Sequence, residues 1–327
     1  MPNPTASDVH VNAALTNISV AYMQEDSAYV ADRVFPSLPV PKQSDRYFVY
    51  NKGDFFRAEA QLRAPGTASA GSGFSIDNTP SYFADVYAIH KDIDDQIRAN
   101  SDAAINPDRD ATLWVTQQLM LRREITWATN FFAAGAGWTG STTGGNVAVA
   151  DLLNGAWSAA GSTPIEDIDR QCDAMQRLTG YRPNKLVVGT QVHRVLKNHP
   201  DVLDRIRYTQ EGIVTEQLMA SLLGVDEYMV ARATNNTAVA GAADNMAMIA
   251  GQTSALLCYS APNPGLMTPS AGYLMAWNGL LGAGPSGNRI KRFRMEHLAS
   301  DRIEGELAFA AQQVSADLGC FFNAVVV

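Results

Sequence analysis

The longest helical pattern in the chain runs from about residue 108 to residue 132. It follows Asn106 and Pro107, a pair that favours the first turn of a helix. Apolar residues occur nearly all round this helix: Leu113, Trp114, Val115, Leu119, Met120, Leu121, Ile125, Trp127, Phe131 and Phe132. At 1.5 Å per residue the helix would be about 35 Å long. We therefore expect a long helix that packs against neighbours on more than one side.

Two segments alternate in hydrophobicity as β-strands do, RYFVY at 46–50 and SYFADVYAIHK at 81–91. The chain between them contains APGTASAGSG at 64–73, whose small residues are typical of a mobile loop tip. Together these segments predict a long, extended hairpin. Because a two-stranded ribbon is barely stable by itself in water, this hairpin needs a surface to lie on.

The first 45 residues show little helical periodicity and contain several prolines. FPSLPVPK at 35–42 is therefore expected to be extended and polyproline-like. Seven residues make the segment too apolar for a free tail: Val20, Tyr22, Tyr29, Val30, Val34, Phe35 and Leu38. We expect an arm that docks on another surface, including that of a second copy of the chain.

The rest of the chain mixes helix and strand patterns. Thr163, Pro164 and Glu166 match a capping box that opens a helix, and Gly180 closes it. LVVG at 186–189 predicts a buried strand, and TEQLMASLLG at 215–224 predicts a further helix. The tail from residue 302 alternates over a long run and predicts one or two strands that complete a sheet.

Composition places the chain among folded globular proteins. It has 327 residues, of which 46% are hydrophobic and 18% charged, with a net charge of −8. The negative net charge argues against a protein whose whole surface binds nucleic acid. Because no apolar run approaches the roughly 18 residues of a membrane helix, we expect a soluble protein. Cys172, Cys258 and Cys320 lie in apolar patterns, which predicts buried thiols and a reducing, intracellular compartment.

Residues that could carry chemistry are scarce. The chain has no phosphate-binding loop, HExxH zinc motif or GxSxG nucleophile elbow. The spacing of His193, His199 and Asp201 does not suit a shared metal, and we interpret the histidines as surface or turn residues. An acidic group is interpreted as a solvated turn or a partner for Arg98; it comprises His90, Asp92, Asp94 and Asp95. We therefore predict no catalytic, metal-binding or cofactor-binding residues.

The strongest basic cluster is formed by Arg289, Lys291, Arg292 and Arg294. Four cations are too few to make an acidic protein a nucleic-acid binder. We expect them instead to pair with acidic neighbours, within one subunit or between subunits.

The order of these elements along the chain resembles that of a known protein family. The segments concerned are YVADRVFPSLPVPKQSDRYFVYNKGD (29–54), APG (64–66), PNKLVVGTQVHRVLKNHPDVLDRIRY (183–208) and VSADLGCFFNAV (314–325). With these segments in this order over nearly its whole length, the chain resembles the major capsid protein of tailed bacteriophages. The resemblance implies an α+β protein with the Hong Kong 97-like capsid fold.

The resemblance also implies a division into parts. Residues 1–45 would form the N-terminal arm and residues 46–98 an extended hairpin called the E-loop. Residues 99–179 and 288–327 would form the peripheral domain, whose spine is the long helix. Residues 180–287 would form the axial domain. Arg57 and Arg63 of the E-loop, with the basic cluster above, are then candidate inter-subunit contacts.

The function implied is structural, without catalysis or a cofactor. Hexamers and pentamers of the chain would form an icosahedral shell around the phage's double-stranded DNA, which is held without sequence-specific binding. Further partners implied are a separate scaffolding protein, a portal and a decoration protein, with no membrane partner. The chain would belong to the virion capsid and assemble in the host cytoplasm. Because the E-loop lysines, Lys52 and Lys91, lie near its base, we expect no covalent cross-link between subunits.

Two other interpretations stay open at this point. A cellular nanocompartment shell of the encapsulin type uses the same fold around an enzyme cargo. A soluble α/β enzyme would need a pocket with convergent polar groups in the lobe at 180–290. The enzyme interpretation gives the apolar arm and the long hairpin no purpose.

Overall fold

The computed structural model describes residues 23–101, 105–206, 214–265, 267–280, 284 and 286–327. The helices in these ranges are α1 Ala31–Val34, α2 Lys52–Phe55, α3 Asp95–Asn100, α4 Pro107–Phe131, α5 Pro164–Thr179, α6 Thr190–Lys197, α7 Pro200–Ile206 and α8 Glu216–Leu223. Among the described residues, none of the helices combines the length and the apolar character that crossing a bilayer requires.

The strands in the same ranges are distributed along the whole chain. They are β1 Ser37–Val40, β2 Ser44–Arg46, β3 Val49–Tyr50, β4 Ile76–Asp77, β5 Ser81–Phe83, β6 Asp85–Asp94, β7 Lys185–Gly189, β8 Glu227–Ala231, β9 Thr234–Asn236, β10 Met246–Met248, β11 Ala255–Cys258, β12 Gly272–Trp277, β13 Asn288–Met295, β14 Ser300–Gln313 and β15 Gly319–Phe322.

The larger sheet is organised around the long strand β14. On one side β14 pairs antiparallel with β6, and on the other it pairs first with β13 and then with β12. β1 joins the outer edge of β12 in parallel, with Ser37 opposite Leu274. The polyproline-like conformation predicted for this part of the arm is therefore wrong. Pro39 is compatible with a strand here because an edge position does not require its missing N–H.

Helix α4 packs against this sheet through one apolar stripe. The buried stripe comprises Ala111, Val115, Leu119, Trp127, Ala128 and Phe131. The predicted start is confirmed, since the Asn106 side chain accepts a hydrogen bond from the Arg109 N–H at 3.1 Å. Gly305 of β14 lets the helix approach, because a Cβ there would lie 2.3 Å from Val115 Cγ1. Leu113 is exposed, but α4 shares its core with Phe35 of the arm as well as with β14, so the helix contacts more than one neighbour as predicted.

The smaller sheet has the strand order β15-β11-β7-β8, and helices α5 to α8 contribute buried residues to the core on it. The buried strand predicted at 186–189 is confirmed as β7. Gly180 ends α5 in the left-handed conformation, as expected. The predicted capping box is wrong: the Thr163 hydroxyl accepts a hydrogen bond from Asn154 Nδ2 at 3.0 Å instead of capping the helix.

The tail of the chain forms two strands in different sheets. β14 lies in the larger sheet, whereas β15 pairs with β11 in the smaller one, with Phe322 opposite Ala255. The smaller sheet thus joins residues on both sides of the predicted boundary at 287/288, and so does the pairing of β12 with β14. The division into peripheral and axial domains stays a prediction about the assembled particle.

The arm docks on its own chain over the described residues. Val30, Val34 and Phe35 are fully buried, and the Phe35 ring lies 4.6 Å from the Phe131 ring of α4. The expected docking of these residues is confirmed. Val20 and Tyr22, also expected to dock, lie outside the described residues.

Candidate inter-subunit surfaces

The predicted hairpin is present in part, as two short antiparallel ladders of the E-loop, whereas residues 85–91 of its predicted second strand lie in β6 and pair with β14 in the larger sheet. β2 pairs with β5, with Asp45 opposite Tyr82, and β3 pairs with β4, with Tyr50 opposite Ile76. Residues 60–75 beyond these ladders are exposed throughout. The sequence therefore folds a ribbon whose far end is not covered by its own chain.

Aromatic rings hold the two sides of the E-loop together. The rings of Tyr50, Phe55 and Phe74 lie 5.5 to 5.9 Å apart, a spacing at which aromatic pairs attract. Asn51 positions Phe55, because its side chain accepts the Gly53 N–H at 3.1 Å and caps α2. The cluster organises the loop without covering it, since Phe55 is 50% exposed.

Large apolar side chains are concentrated on the outside of this loop. We call them the E-loop apolar face: Phe48, Phe55, Phe56, Leu62, Phe74, Ile76 and Phe83, all about half exposed or more. Leu62 is completely exposed. Large exposed apolar side chains grouped in one segment are unusual unless a partner covers them. The E-loop apolar face is therefore the best candidate for an inter-subunit surface.

The base of the E-loop is tied to the core of the subunit. Lys52 forms an ion pair with Asp317, which also accepts a hydrogen bond from the Thr139 hydroxyl at 2.6 Å. The Phe56 ring lies over Gly180, where a Cβ would be 3.1 Å from the ring. These contacts fix where the loop leaves the subunit.

The two E-loop arginines of the prediction make local contacts. Arg57 Nη1 donates to Glu59 Oε1 at 3.1 Å, and Arg63 Nε donates to the Thr67 carbonyl at 2.6 Å. Both residues are exposed. Their role between subunits stays a prediction.

The predicted basic cluster lies on β13, and the strand divides it between two faces of the sheet. Arg289 and Lys291 point to one face. There Arg289 pairs with Glu306, and Lys291 lies 2.9 Å from Glu306 and 3.8 Å from Glu304. These bonds hold the pKa of Glu306 below its usual range, with Arg289 making the largest contribution.

On the opposite face three arginines surround Asp301, a residue of β14. Arg98 and Arg292 each lie 2.8 Å from its carboxylate, and Arg294 lies 3.5 Å away. Hydrogen bonds, first from Arg292 and then from Arg98, lower the pKa of Asp301 to about 2. Pairing with acidic neighbours is confirmed within one subunit, and contacts of the same residues between subunits stay a prediction.

His90, Asp92 and Asp94 of the acidic group lie within β6, and Asp95 begins α3, so the predicted solvated turn is wrong. The group takes part in ion pairs instead. Asp92 receives two hydrogen bonds from Arg302 at 2.7 and 2.9 Å, and Asp95 receives two from Arg294 at 2.6 and 2.5 Å. Arg98 lies 3.8 Å from Asp95, as predicted. In the described ranges no three His, Cys, Asp or Glu side chains form a group that could hold a metal.

The histidines considered as ligands make contacts within the fold. His193 Nδ1 lies 3.1 Å from the Tyr228 hydroxyl. His199 precedes α7, in a turn as predicted, but it is buried and lies 2.9 Å from the Ser162 hydroxyl. The surface position predicted for His199 is wrong because Ser162 provides a buried hydrogen-bond partner.

The predicted burial of the three cysteines is confirmed. Burial raises the pKa of Cys172 and of Cys258 to about 12, so neither thiol forms a nucleophilic thiolate near neutral pH.

One buried acidic residue that anchors the arm was not anticipated. Glu124 of α4 is 1% exposed, and its carboxyl group accepts hydrogen bonds from the N–H groups of Val30 and Ala31 at 3.1 and 3.0 Å. The adjacent Arg123 pairs with Asp32 at 2.8 Å. A signal was present in the sequence, because two charged residues interrupt the apolar stripe of α4.

Comparisons with known proteins place this arrangement in a family. Residues 145–262 match the family described as phage major capsid protein E. The major capsid protein of Burkholderia phage BcepMu is 27% identical over 226 residues, 68% of this chain and 69% of the relative. The major capsid protein of Pseudomonas phage JBD67 is 26% identical over 242 residues, 71% of each protein.

Solved structures resemble the whole chain in fold. A phage-related protein from Bordetella bronchiseptica RB50 has a TM-score of 0.68 at 18% identity, covering 92% of this chain and 94% of its own. The mature capsid protein of bacteriophage PhiM1 has a TM-score of 0.60 at 14% identity, covering 97% of this chain and 92% of its own. The holo-SrpI encapsulin complex of Synechococcus elongatus PCC 7942 has a TM-score of 0.55 at 12% identity, covering 96% of this chain and 93% of its own.

At these identities the solved structures establish the fold, and the sequence relatives separate phage capsids from encapsulins. The predicted α+β fold and the predicted resemblance to phage major capsid proteins are confirmed. The chain is similar in sequence to phage major capsid proteins and has the Hong Kong 97-like capsid fold.

Proposed function

We propose that the chain assembles into hexamers and pentamers that close an icosahedral shell around a packaged double-stranded DNA genome. The observation that carries the proposal is the E-loop apolar face, which its own chain leaves exposed. Covering apolar surface stabilises association by about 25 cal/mol per Å². Repeated over many copies, such contacts sum to a stable closed particle although each is weak.

The division into arm, E-loop, peripheral domain and axial domain belongs to the same proposal. In it the E-loop apolar face lies on a neighbouring subunit, and Arg57 and Arg63 meet carboxylates there. Arg57 can leave Glu59 for such a partner, because an exposed ion pair contributes only about 0–1 kcal/mol. The cluster on β13 could add contacts at its more exposed members, such as Arg292, whose side chain is 55% exposed.

The genome is held in this proposal without sequence-specific contacts. The net charge of −8 and the internal pairing of Arg289, Lys291, Arg292 and Arg294 support an inner surface without a dense basic field. Shells would assemble in the host cytoplasm with a separate scaffolding protein and a portal, and a decoration protein would bind outside.

The test is electron microscopy with sedimentation of the expressed protein, with and without the products of neighbouring genes. We expect closed shells, or capsomer rings and sheets where the scaffolding protein is missing. A monomer or small dimer under every condition would refute the proposal. Uniform full-size shells from the chain alone would refute the separate scaffolding protein.

The same particles test the encapsulin-type alternative, because an encapsulin shares the fold of this chain. A phage shell in infected cells contains DNA, whereas a nanocompartment contains an enzyme. We expect nuclease-protected DNA in purified mature particles, and a protein cargo in its place would favour the alternative.

A further inference from the structure

Exposed aromatic rings lie where the E-loop meets the end of α5. The Phe56 ring lies over Gly180 and is 64% exposed. Tyr181 follows Gly180, and its ring lies 5.0 Å from the Tyr259 ring. Tyr181 is 39% exposed, and Tyr259 is partly exposed. We call these three aromatic residues, together with Asp226, the Tyr181 patch.

Asp226 belongs to this patch because Asn184 connects it to the ring pair. The Asn184 carbonyl accepts the Asp226 N–H at 2.8 Å, while the Asn184 side chain exchanges two hydrogen bonds of 2.9 Å with the backbone of Ser260, next to Tyr259. Burial, and after it the nearby Tyr181 and Asp226, raise the pKa of Tyr259. The exposed Asp226 carboxylate has no ion-pair partner in the described ranges. The patch thus combines aromatic rings with an open carboxylate.

This combination suits the guanidinium group of an arginine, which stacks on aromatic rings and binds carboxylates. The cations nearby in the same chain have other partners. Arg182 lies 3.2 Å from Asp169, Arg57 lies 3.1 Å from Glu59, and Lys185 donates to a backbone carbonyl of the arm. The arginine that fits the patch is therefore one supplied from elsewhere.

The far end of the E-loop presents such an arginine. Its charged residues between positions 57 and 75 are Arg57, Glu59 and Arg63, and the first two pair with each other. The Arg63 side chain donates to the Thr67 carbonyl and has no carboxylate partner among the described residues. Leu62 beside it is completely exposed. An apolar side chain next to an unpaired cation complements a patch of aromatic rings with an unpaired carboxylate.

We propose that Leu62 and Arg63 of one copy bind the Tyr181 patch of the next copy, with Arg63 at Asp226 and the tyrosine rings and Leu62 against Phe56. This inference rests on the proposed function, because it names the surface that receives the E-loop. The far end of the loop in one copy contacts the base of the loop in the next, so the two surfaces differ. Such heterologous contacts close into rings, which hexamers and pentamers require.

Exchange of the two charges tests the contact. With the scaffolding protein present, Arg63→Asp and Asp226→Arg should each lower the yield of shells and capsomer rings at least about tenfold, because each places like charges together. Both positions are exposed, so the subunits should stay folded. The double variant should recover most of the wild-type yield. Arg63→Asp with Asp204→Arg is the matched control and should stay low, because Asp204 is an exposed carboxylate on α7, outside the patch.

A thiol cross-link tests which copy supplies the loop. Assembled particles with Ala64→Cys and Glu227→Cys retain Arg63 and Asp226, and the native cysteines are buried. A short bifunctional maleimide should join positions 64 and 227 of different chains, seen as multimers on a denaturing gel and as linked peptides by mass spectrometry. Ala64→Cys with Asp204→Cys should link at least about tenfold less.

Two kinds of failure are distinguishable. Wild-type particles that form while the charge exchange gives no recovery, or while positions 64 and 227 join only within one chain or not at all, would overturn this inference and leave the proposed function standing. Wild-type protein that forms neither shells nor rings would overturn both.

Discussion

The backbone N–H of Ala31 donates a hydrogen bond to Glu124 at 3.0 Å, so a carboxyl group of α4 caps the first helix of the arm. This pairing fixes where the arm crosses the subunit before it reaches the larger sheet. Burial raises the pKa of Glu124 to about 7, against the opposite effect of the hydrogen bonds from Ala31 and Val30. The arm is thus held by a group that titrates close to neutral pH.

The first prediction concerns the pH dependence of stability. The pKa of Glu124 is about 7 when folded and 4.5 in an unperturbed chain, so the folded state retains a proton that the unfolded state releases. The contribution to stability is complete below pH 4.5 and decreases as the pH rises to about 7. The difference corresponds to about 3 kcal/mol in the free energy of unfolding. Urea unfolding of unassembled subunits at pH 4.5 and pH 8 measures it.

Glu124→Gln provides the matched variant, because its amide oxygen can still accept the N–H bonds and cannot ionise. We expect its stability to change much less than that of the wild type between the two pH values. An equal change in both proteins would contradict the assignment. Glu124→Ala should lower stability by about 1–3 kcal/mol at pH 4.5, because it leaves buried N–H groups without a partner.

The second prediction concerns the approach of α4 to the sheet. Gly305→Ala would place a Cβ 2.3 Å from Val115 Cγ1, so the helix or the strand must shift. We expect a loss of about 1–3 kcal/mol in the free energy of unfolding, measured in urea. Gly71→Ala is the control, because its Cβ would have no atom within 4 Å. Equal stability of the two variants would contradict the packing described.

The third prediction concerns the arginines around Asp301. Asp301→Asn removes the charge that Arg98 and Arg292 share, so we expect a lower urea midpoint than in the wild type. Because the pKa is lowered to about 2, this stabilisation is present above about pH 4 and is lost as the pH falls through 2. The control is Asp45→Asn, which breaks an exposed pair with Lys42 and should change little. A salt-independent effect of Asp301→Asn would argue against an electrostatic role.

The fourth prediction concerns covalent links between subunits. Lys52 is engaged by Asp317, and Lys91 lies far from the tip, in the strand β6. No lysine occurs between residues 58 and 80. Mature particles boiled in detergent should therefore run as a single monomer band on a denaturing gel. A ladder of multimers would contradict this prediction.

Sequence patterns predicted the helices and strands that are specified by residues close together along the chain. Helix α4 and strand β7 are examples, since a proline start and a short apolar run are sufficient signals. The pairing of β1 with β12 was not predictable, because a proline-rich segment has no internal sign of its partner more than 230 residues later. Burial of Glu124 likewise depends on the arm crossing above it.

The candidate inter-subunit surfaces were likewise predictable only where they depend on local sequence. The sequence predicted the hairpin and its need for a partner surface, because both follow from local alternation and composition. It located the basic cluster but not its separation between two faces, which depends on the register of β13 against β14. That register places Arg289 opposite Glu306 and Arg294 opposite Asp301.

In our proposal the E-loop apolar face joins subunits into a shell. Sedimentation and electron microscopy of Leu62→Asp test this role, because Leu62 is fully exposed and the fold of the subunit does not depend on it. Val239→Asp, at a position 77% exposed outside the E-loop, is the control. We expect the wild type and Val239→Asp to form shells, whereas Leu62→Asp remains as folded subunits with an unchanged urea midpoint. Shells formed by Leu62→Asp with wild-type yield would contradict it.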